Sequence, residues 1–167
     1  MKIVFSGGST AGLIGLLTLR ALGHEVTSIA TRDPSIVSVA DMLFHIPCVS
    51  AVNKTHRYLR EADLFVNVHG RDIVTDEELM MPRHGGFNVH PCLSLYKGKD
   101  PVGRFLADGR VFASVGGHIM TSNIDDGPVL TEWYHDVSGM KTREEVYNRI
   151  YYLYPEVIWE CLYKLCE

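Results

Sequence analysis

Apolar runs of strand length alternate with segments of helical period along this chain, the pattern of a parallel sheet with crossover helices. Ile3 to Ser6 reads as a first strand, Gly7-Gly8-Ser9-Thr10 as a tight turn, and Ala11 to Leu22 as a helix stopped by Gly23. Glu25 to Thr31 gives a second strand. Asp33-Pro34-Ser35 can open a short helix over Ile36 to Leu43, and Cys48 to Val52 a weaker third strand. Thr55 to Arg60 reads as helical, Leu64 to Val68 as a central strand, Thr75 to Leu79 as a short helix, and Gly86 to His90 as a strand that Pro91 ends.

The second half changes period. Pro101 to Ala107 predicts a helix broken by Asp108-Gly109, while Phe112 to Met120 and Pro128 to Val137 can pair as antiparallel strands across the Thr121 to Gly127 loop. Thr142 opens a long final helix with Glu144-Glu145 in its first turn, and Pro155 should kink or divide it. The predicted class is α/β: a Rossmann-like, mostly parallel sheet with flanking helices and antiparallel strands toward the C-terminal end. At 167 residues and 46% apolar composition, residues 1–167 are expected to form one domain.

A net charge of −4 and the absence of a Lys/Arg stripe argue against nucleic acid as a partner. No apolar stretch reaches membrane-spanning length and no leader precedes the first strand, so a cytoplasmic location without membrane contact is expected. The four cysteines, Cys48, Cys92, Cys161 and Cys166, show no CxxC spacing, which argues against a disulfide framework or a zinc site. Tyr147, Tyr151, Tyr152, Tyr154, Trp159 and Tyr163 crowd the final helix; the core can take part of this set, and a homodimer interface could bury the rest.

Two segments carry candidate chemistry. Gly7, Gly8 and Gly12 between strand and helix read either as a plain tight turn or as an anion site at a helix N-terminus. Ser9 stands where the dinucleotide fingerprint needs its second glycine, although Asp33 and Arg32 sit near the places where ribose and 2′-phosphate contacts would fall. Asn88 and His90, two apart on a strand, share one face at its carboxyl end, where open α/β sheets bind ligands. An amide, an imidazole and the Asp125-Asp126 carboxylates together could bind an oxyanion and move a proton. Taken singly, both segments also read as turn formers.

Asn88-Val89-His90-Pro91-Cys92-Leu93, then Gly98, Pro101, Gly117-His118 and Asp125-Asp126-Gly127-Pro128-Val129-Leu130, together resemble the folate-dependent formyltransferase family. That family reads Asn-x-His-Pro-Ser-Leu-Leu-Pro and later Asp-x-Gly-Pro-Ile-Leu. The seven-residue step from His118 to Asp125 matches the family's spacing and selects Asp125 over Asp126. Asp63-Leu64-Phe65-Val66 with Gly70 and Ile73-Val74 is similar to the family's folate-lining strand and loop.

The resemblance implies an enzyme that transfers a formyl group from 10-formyltetrahydrofolate to a primary amine, without a metal. Asn88, His90 and Asp125 would be catalytic. Gly70, Arg71, Ile73, Val74, His118, Thr121, Ser122 and Asn123 would hold the folate, and Gly7, Gly8, Ser9, Thr10 and Lys97 the acceptor. The implied acceptor is a small molecule, an amino-sugar nucleotide or glycinamide ribonucleotide. Relatives that formylate methionyl-tRNA carry a C-terminal barrel, and those that hydrolyse formyl-folate an N-terminal regulatory domain, neither of which is expected here. An NADP-binding oxidoreductase built on the Gly7 turn and Arg32, and a non-catalytic folate-binding protein, are the rival readings. The chain departs from the family at Cys92, in a loop to Gly98 one residue shorter, at Thr121-Ser122-Asn123 where acidic residues are frequent, and at His69 where a small residue is usual. His69 and Arg71 read as folate or acceptor contacts or as an exposed loop pair. Lys99 and Arg104 could join Lys97 at an anion.

Overall fold

The computed structural model describes residues 1–166, with the side chain of Cys166 left out. Strand β1 (Lys2–Gly7) leads into α1 (Ser9–Ala21), β2 (Glu25–Ala30) and α2 (Pro34–Val39), and β3 is the short pair Cys48–Val49. Then come α3 (His56–Leu59), β4 (Leu64–Val68), α4 (Asp76–Met80), β5 (Gly86–Pro91) and α5 (Pro101–Ala107). Strands β6 (Phe112–Ile119) and β7 (Val129–Asp136) precede α6 (Arg143–Ile150) and α7 (Leu153–Cys166). The seven strands form one sheet in the order β3-β2-β1-β4-β5-β6-β7. Pairing is parallel from β3 through β5 and antiparallel from β5 through β7.

Alternation along the central strands sorts side chains between two unequal layers. Ile3, Phe5, Leu64, Val66, Val68, Phe87 and Val89 enter the larger core with α1, α5, α6 and α7. Val4 and Phe65 face a smaller core with Val52, Leu59, Val74 and Leu79. On that thinly covered face the register places Ser6 beside Asn67, Asn67 beside Asn88, and Asn88 beside His118. A polar row thus crosses four strands near the carboxyl ends of β1, β4 and β5.

Some expected boundaries shift. The helix expected over Ile36 to Leu43 is α only through Val39 and winds as a π-turn over Ala40–Phe44, ended by His45 in a left-handed conformation (φ 53°). The third strand stops at Val49, because Val52–Thr55 winds into a 3₁₀ turn with Thr55 bonded back to the Val52 carbonyl. Pro91 is the last residue of β5 rather than the first beyond it: it pairs with Val115, and the Cys92 amide still bonds the Ser114 carbonyl. Pro155 does fall where the final helix divides. It occupies the first turn of α7, where a missing N–H costs no intrahelical bond. Thr142 and Glu145 form a capping box on α6, as do Thr75 and Glu78 on α4. Of the aromatic set, Tyr154 is wholly buried, while Tyr152, Trp159 and Tyr163 stay half exposed. No described helix is long and apolar enough to cross a membrane.

Candidate active site

Asn88 and His90 project from β5 on the thinly covered face, and the loop between β6 and β7 brings Asp125 over them. Asp125 takes a left-handed conformation (φ 51°), which a short polar side chain tolerates in a turn. Its Oδ1 accepts from Asn88 Nδ2 at 2.9 Å and lies 3.4 Å from His118 Nε2. Its Oδ2 lies 3.1 Å from His90 Nε2 and accepts the Gly98 amide at 2.9 Å. Burial pushes this carboxyl up, but the hydrogen bonds from His118 and His90, the charge of His90 and the Gly98 N–H outweigh it and hold the group well below the usual carboxylate range. Asp125 is therefore a fixed anion. Asp126 turns outward and pairs with Lys97.

Asn67 orients the amide. Its Nδ2 donates to Asn88 Oδ1 at 2.8 Å, which leaves Asn88 Nδ2 toward the carboxylate and 3.2 Å from His118 Nε2. His118 Nδ1 lies 2.9 Å from the Ile119 carbonyl, while its Nε2 faces both Asn88 Nδ2 and Asp125 Oδ1. Asn67 stands in an otherwise apolar strand, and that interruption was the available signal for its role. Gly98 was also missed. At φ +80° it sets its N–H on Asp125 while its carbonyl lies 3.2 Å from His90 Nε2. His90 Nδ1 is buried with no partner among the described residues.

These groups form the floor of a cleft of ≈ 670 Å³. Gly70, Arg71, Ile73 and Val74 line one wall, and His118, Thr121, Ser122 and Ile124 line another; Asn123 does not reach it. Lys99, Asp100 and Tyr147 complete the rim. Lys97 is absent from this lining, because Asp126 holds it at the surface, and Arg104 spends a guanidinium N–H on the Lys97 carbonyl.

A second cavity of ≈ 180 Å³ is lined by Gly7, Gly8 and Ser9 with Thr31, Arg32, Asp33, Ser50, Arg71 and Asp72, while Thr10 lies outside it. Arg71 and Asp72 line both cavities. The Ser9 amide at the start of α1 already donates to Asp33 Oδ2 at 2.8 Å, and Arg32 pairs with Asp72 at 3.1 Å. The contacts that a dinucleotide reading would assign to Asp33 and Arg32 are thus engaged within the chain. Gly8 is required for close approach: a Cβ there would lie 2.8 Å from the His69 carbonyl oxygen.

His69 is not half of an exposed loop pair. Its Nδ1 lies 3.2 Å from Ser9 Oγ and its Nε2 2.8 Å from the Tyr154 hydroxyl, with its ring edge-on to Tyr147 and Tyr154. Burial, then the charge of His90, push its pKa down to about 4. Cys92 is buried, and desolvation raises its thiol above the ordinary range. Among the described residues no group of His, Cys, Asp and Glu is arranged to hold a metal ion. The site offers a fixed carboxylate, two imidazoles and an oriented amide, a set suited to moving a proton and stabilising a developing oxyanion.

Comparison with known proteins returns one family. The profile described as formyl transferase matches residues 50–162. The bifunctional polymyxin resistance protein ArnA of Wigglesworthia glossinidia brevipalpis is 27% identical over 168 residues, covering 91% of this chain and 26% of that protein. The chain thus spans about a quarter of that relative's length. Among solved structures, phosphoribosylglycinamide formyltransferase from Bacillus halodurans superposes with a TM-score of 0.81 at 17% identity, covering 98% of this chain and 96% of the other. WlaRD, a sugar 3N-formyl transferase solved in the presence of dTDP and 5-N-formyl-THF, gives 0.76 at 16% identity, covering 99% and 62%. These last two likenesses are of fold.

Proposed function

Because the chain belongs to the formyl transferase family, we propose that it transfers a formyl group from 10-formyltetrahydrofolate to the primary amine of a small acceptor. Glycinamide ribonucleotide and an amino-sugar nucleotide are the acceptor types that fit best. The observation that carries this reading is the Asp125 carboxylate, bridged to Asn88 on one oxygen and to His90 on the other at the floor of the main cleft.

The folate lies between the Gly70 to Val74 wall and the Thr121-Ser122 wall, and the acceptor approaches from the Gly7 to Ser9 turn. Lys99, which lines the cleft, takes the anion-binding part that Lys97 cannot serve while it pairs with Asp126. Bound there, the formyl-folate supplies an activated one-carbon unit whose carbonyl an amine can attack. Asp125, fixed as an anion against His90 Nε2, orients that ring and stabilises positive charge that develops on it. His90, on the floor of the cleft, then stabilises the negative charge that builds on the formyl oxygen. Asn88 contributes an N–H to the same oxygen by giving up its bond to Asp125. That exchange frees Oδ1 to pass the proton leaving the amine, directly or through water, to the folate nitrogen as the bond between that nitrogen and the formyl carbon breaks, so the carbonyl re-forms on the acceptor and the deformylated folate departs. Positioning the two reactants supplies the rest of the rate.

Calorimetric titration with 5-formyltetrahydrofolate, followed by a panel of nucleotide-sugars and glycinamide ribonucleotide, tests the reading. Saturable folate binding that strengthens capture of one amine is expected. A folded protein that binds no formyl-folate contradicts it.

A further inference from the structure

His69 links the main cleft to the turn that borders the small cavity. It lines the main cleft, its carbonyl packs under Gly8, and its ring touches Ser9, which lines the small cavity. The phenol of Tyr154 is wholly buried, and burial among Tyr147, Tyr151 and Cys92 raises its pKa well above the ordinary value, so it keeps its proton. A buried O–H needs an acceptor, and the structure gives it His69 Nε2 at 2.8 Å. A neutral imidazole carries one proton, and accepting at Nε2 places it on Nδ1. Nδ1–H then donates to Ser9 Oγ. Having accepted, the Ser9 hydroxyl has its own hydrogen left for a third group. Its backbone amide cannot serve that group, because Asp33 already takes it. Arg71, which has no ion pair or hydrogen bond among the described residues, lines the same cavity and can supply charge.

We propose that His69 is a positioning residue for the acceptor: oriented by Tyr154, it aims the Ser9 hydroxyl proton into the small cavity and so selects amines bearing an anionic oxygen there. The relay runs one way, from Tyr154 to His69 to Ser9 to the ligand oxygen. It rests on the reading above, in which the acceptor lies along the Gly7 to Ser9 turn.

The test uses the full chain labelled with ¹⁵N-histidine, inorganic phosphate as the anion probe and 5-formyltetrahydrofolate as the folate probe. Nitrogen shifts of His69 should show the Nδ1-protonated tautomer at neutral pH, and Tyr154→Phe, with folding checked by near-ultraviolet circular dichroism, should give a tautomer mixture. Phosphate should bind the wild type and weaken about tenfold in both Tyr154→Phe and Ser9→Ala, the scale of one directed hydrogen bond. An Nε2-protonated His69 in the wild type, phosphate affinities equal in all three proteins, or no phosphate binding by the wild type would each overturn the proposal. Loss of formyl-folate binding in the wild type would instead defeat the formyltransferase reading, and the tautomer and phosphate results would still decide the relay.

Discussion

Asn67 donates its side-chain amide to Asn88 Oδ1 at 2.8 Å, and this bond decides which end of the Asn88 amide faces the Asp125 carboxylate. The two residues are register partners on adjacent parallel strands, so the sheet itself sets the contact. Replacing Asn67 by Ala leaves Asn88 Oδ1 buried without its partner, at a cost of about 1–3 kcal/mol. Urea unfolding should show that loss. Turnover should fall at least tenfold while the KM for formyl-folate holds; unchanged turnover would remove Asn67 from the site.

Asp125→Asn keeps the shape of the side chain and removes its charge. Turnover should drop by about 10²–10⁴, the usual scale of a lost acid–base partner. The carboxyl's folded pKa lies below its unfolded value, so its contribution to stability is present above the unfolded pKa and is lost as pH falls through the folded one. The stability gap between wild type and Asp125→Asn should therefore persist through neutral and mildly acid pH and close only in strong acid. A gap that closes near pH 6 would assign the effect to another group.

His69 works in the opposite range. Its pKa falls from 6.5 to about 4 on folding, so the unfolded chain takes up this proton first. Wild-type stability should fall relative to His69→Gln as pH drops from about 6.5 toward 4, by roughly 3 kcal/mol at full development. Parallel pH profiles for the two proteins would show that His69 is not held neutral.

Cys92→Ser tests for covalent catalysis. The thiol is buried and its pKa is raised, the reverse of an activated nucleophile. Turnover should stay within about threefold of wild type, since the reading gives the sulfur no bond to make. Abolished turnover in a folded variant would require a covalent intermediate.

Much of the site is legible in sequence where function follows local spacing. Asn88 and His90 are two apart on a strand and therefore share a face, and the resemblance to the formyltransferase family, through its step from His118 to Asp125, singles out one of two adjacent carboxylates. What the sequence does not show depends on strand order. Asn67 reaches Asn88 because β4 lies beside β5, and His69 reaches Tyr154, 85 positions later, because α7 packs across the larger core. Lys97 shows the converse: its place near the site is read from sequence, but its partner Asp126 lies 29 positions away and is set by the fold. Gly98 is visible as a turn residue, yet only the folded loop shows that its N–H caps Asp125.

The central claim is most directly tested by incubating the protein with ¹³C-formyl-labelled 10-formyltetrahydrofolate and the amine panel, then analysing the acceptors by mass spectrometry. Labelled formyl on one acceptor nitrogen, dependent on Asp125 and His90, is the predicted result. Saturable folate binding with no label on any amine, or equal labelling by Asp125→Asn, would contradict it.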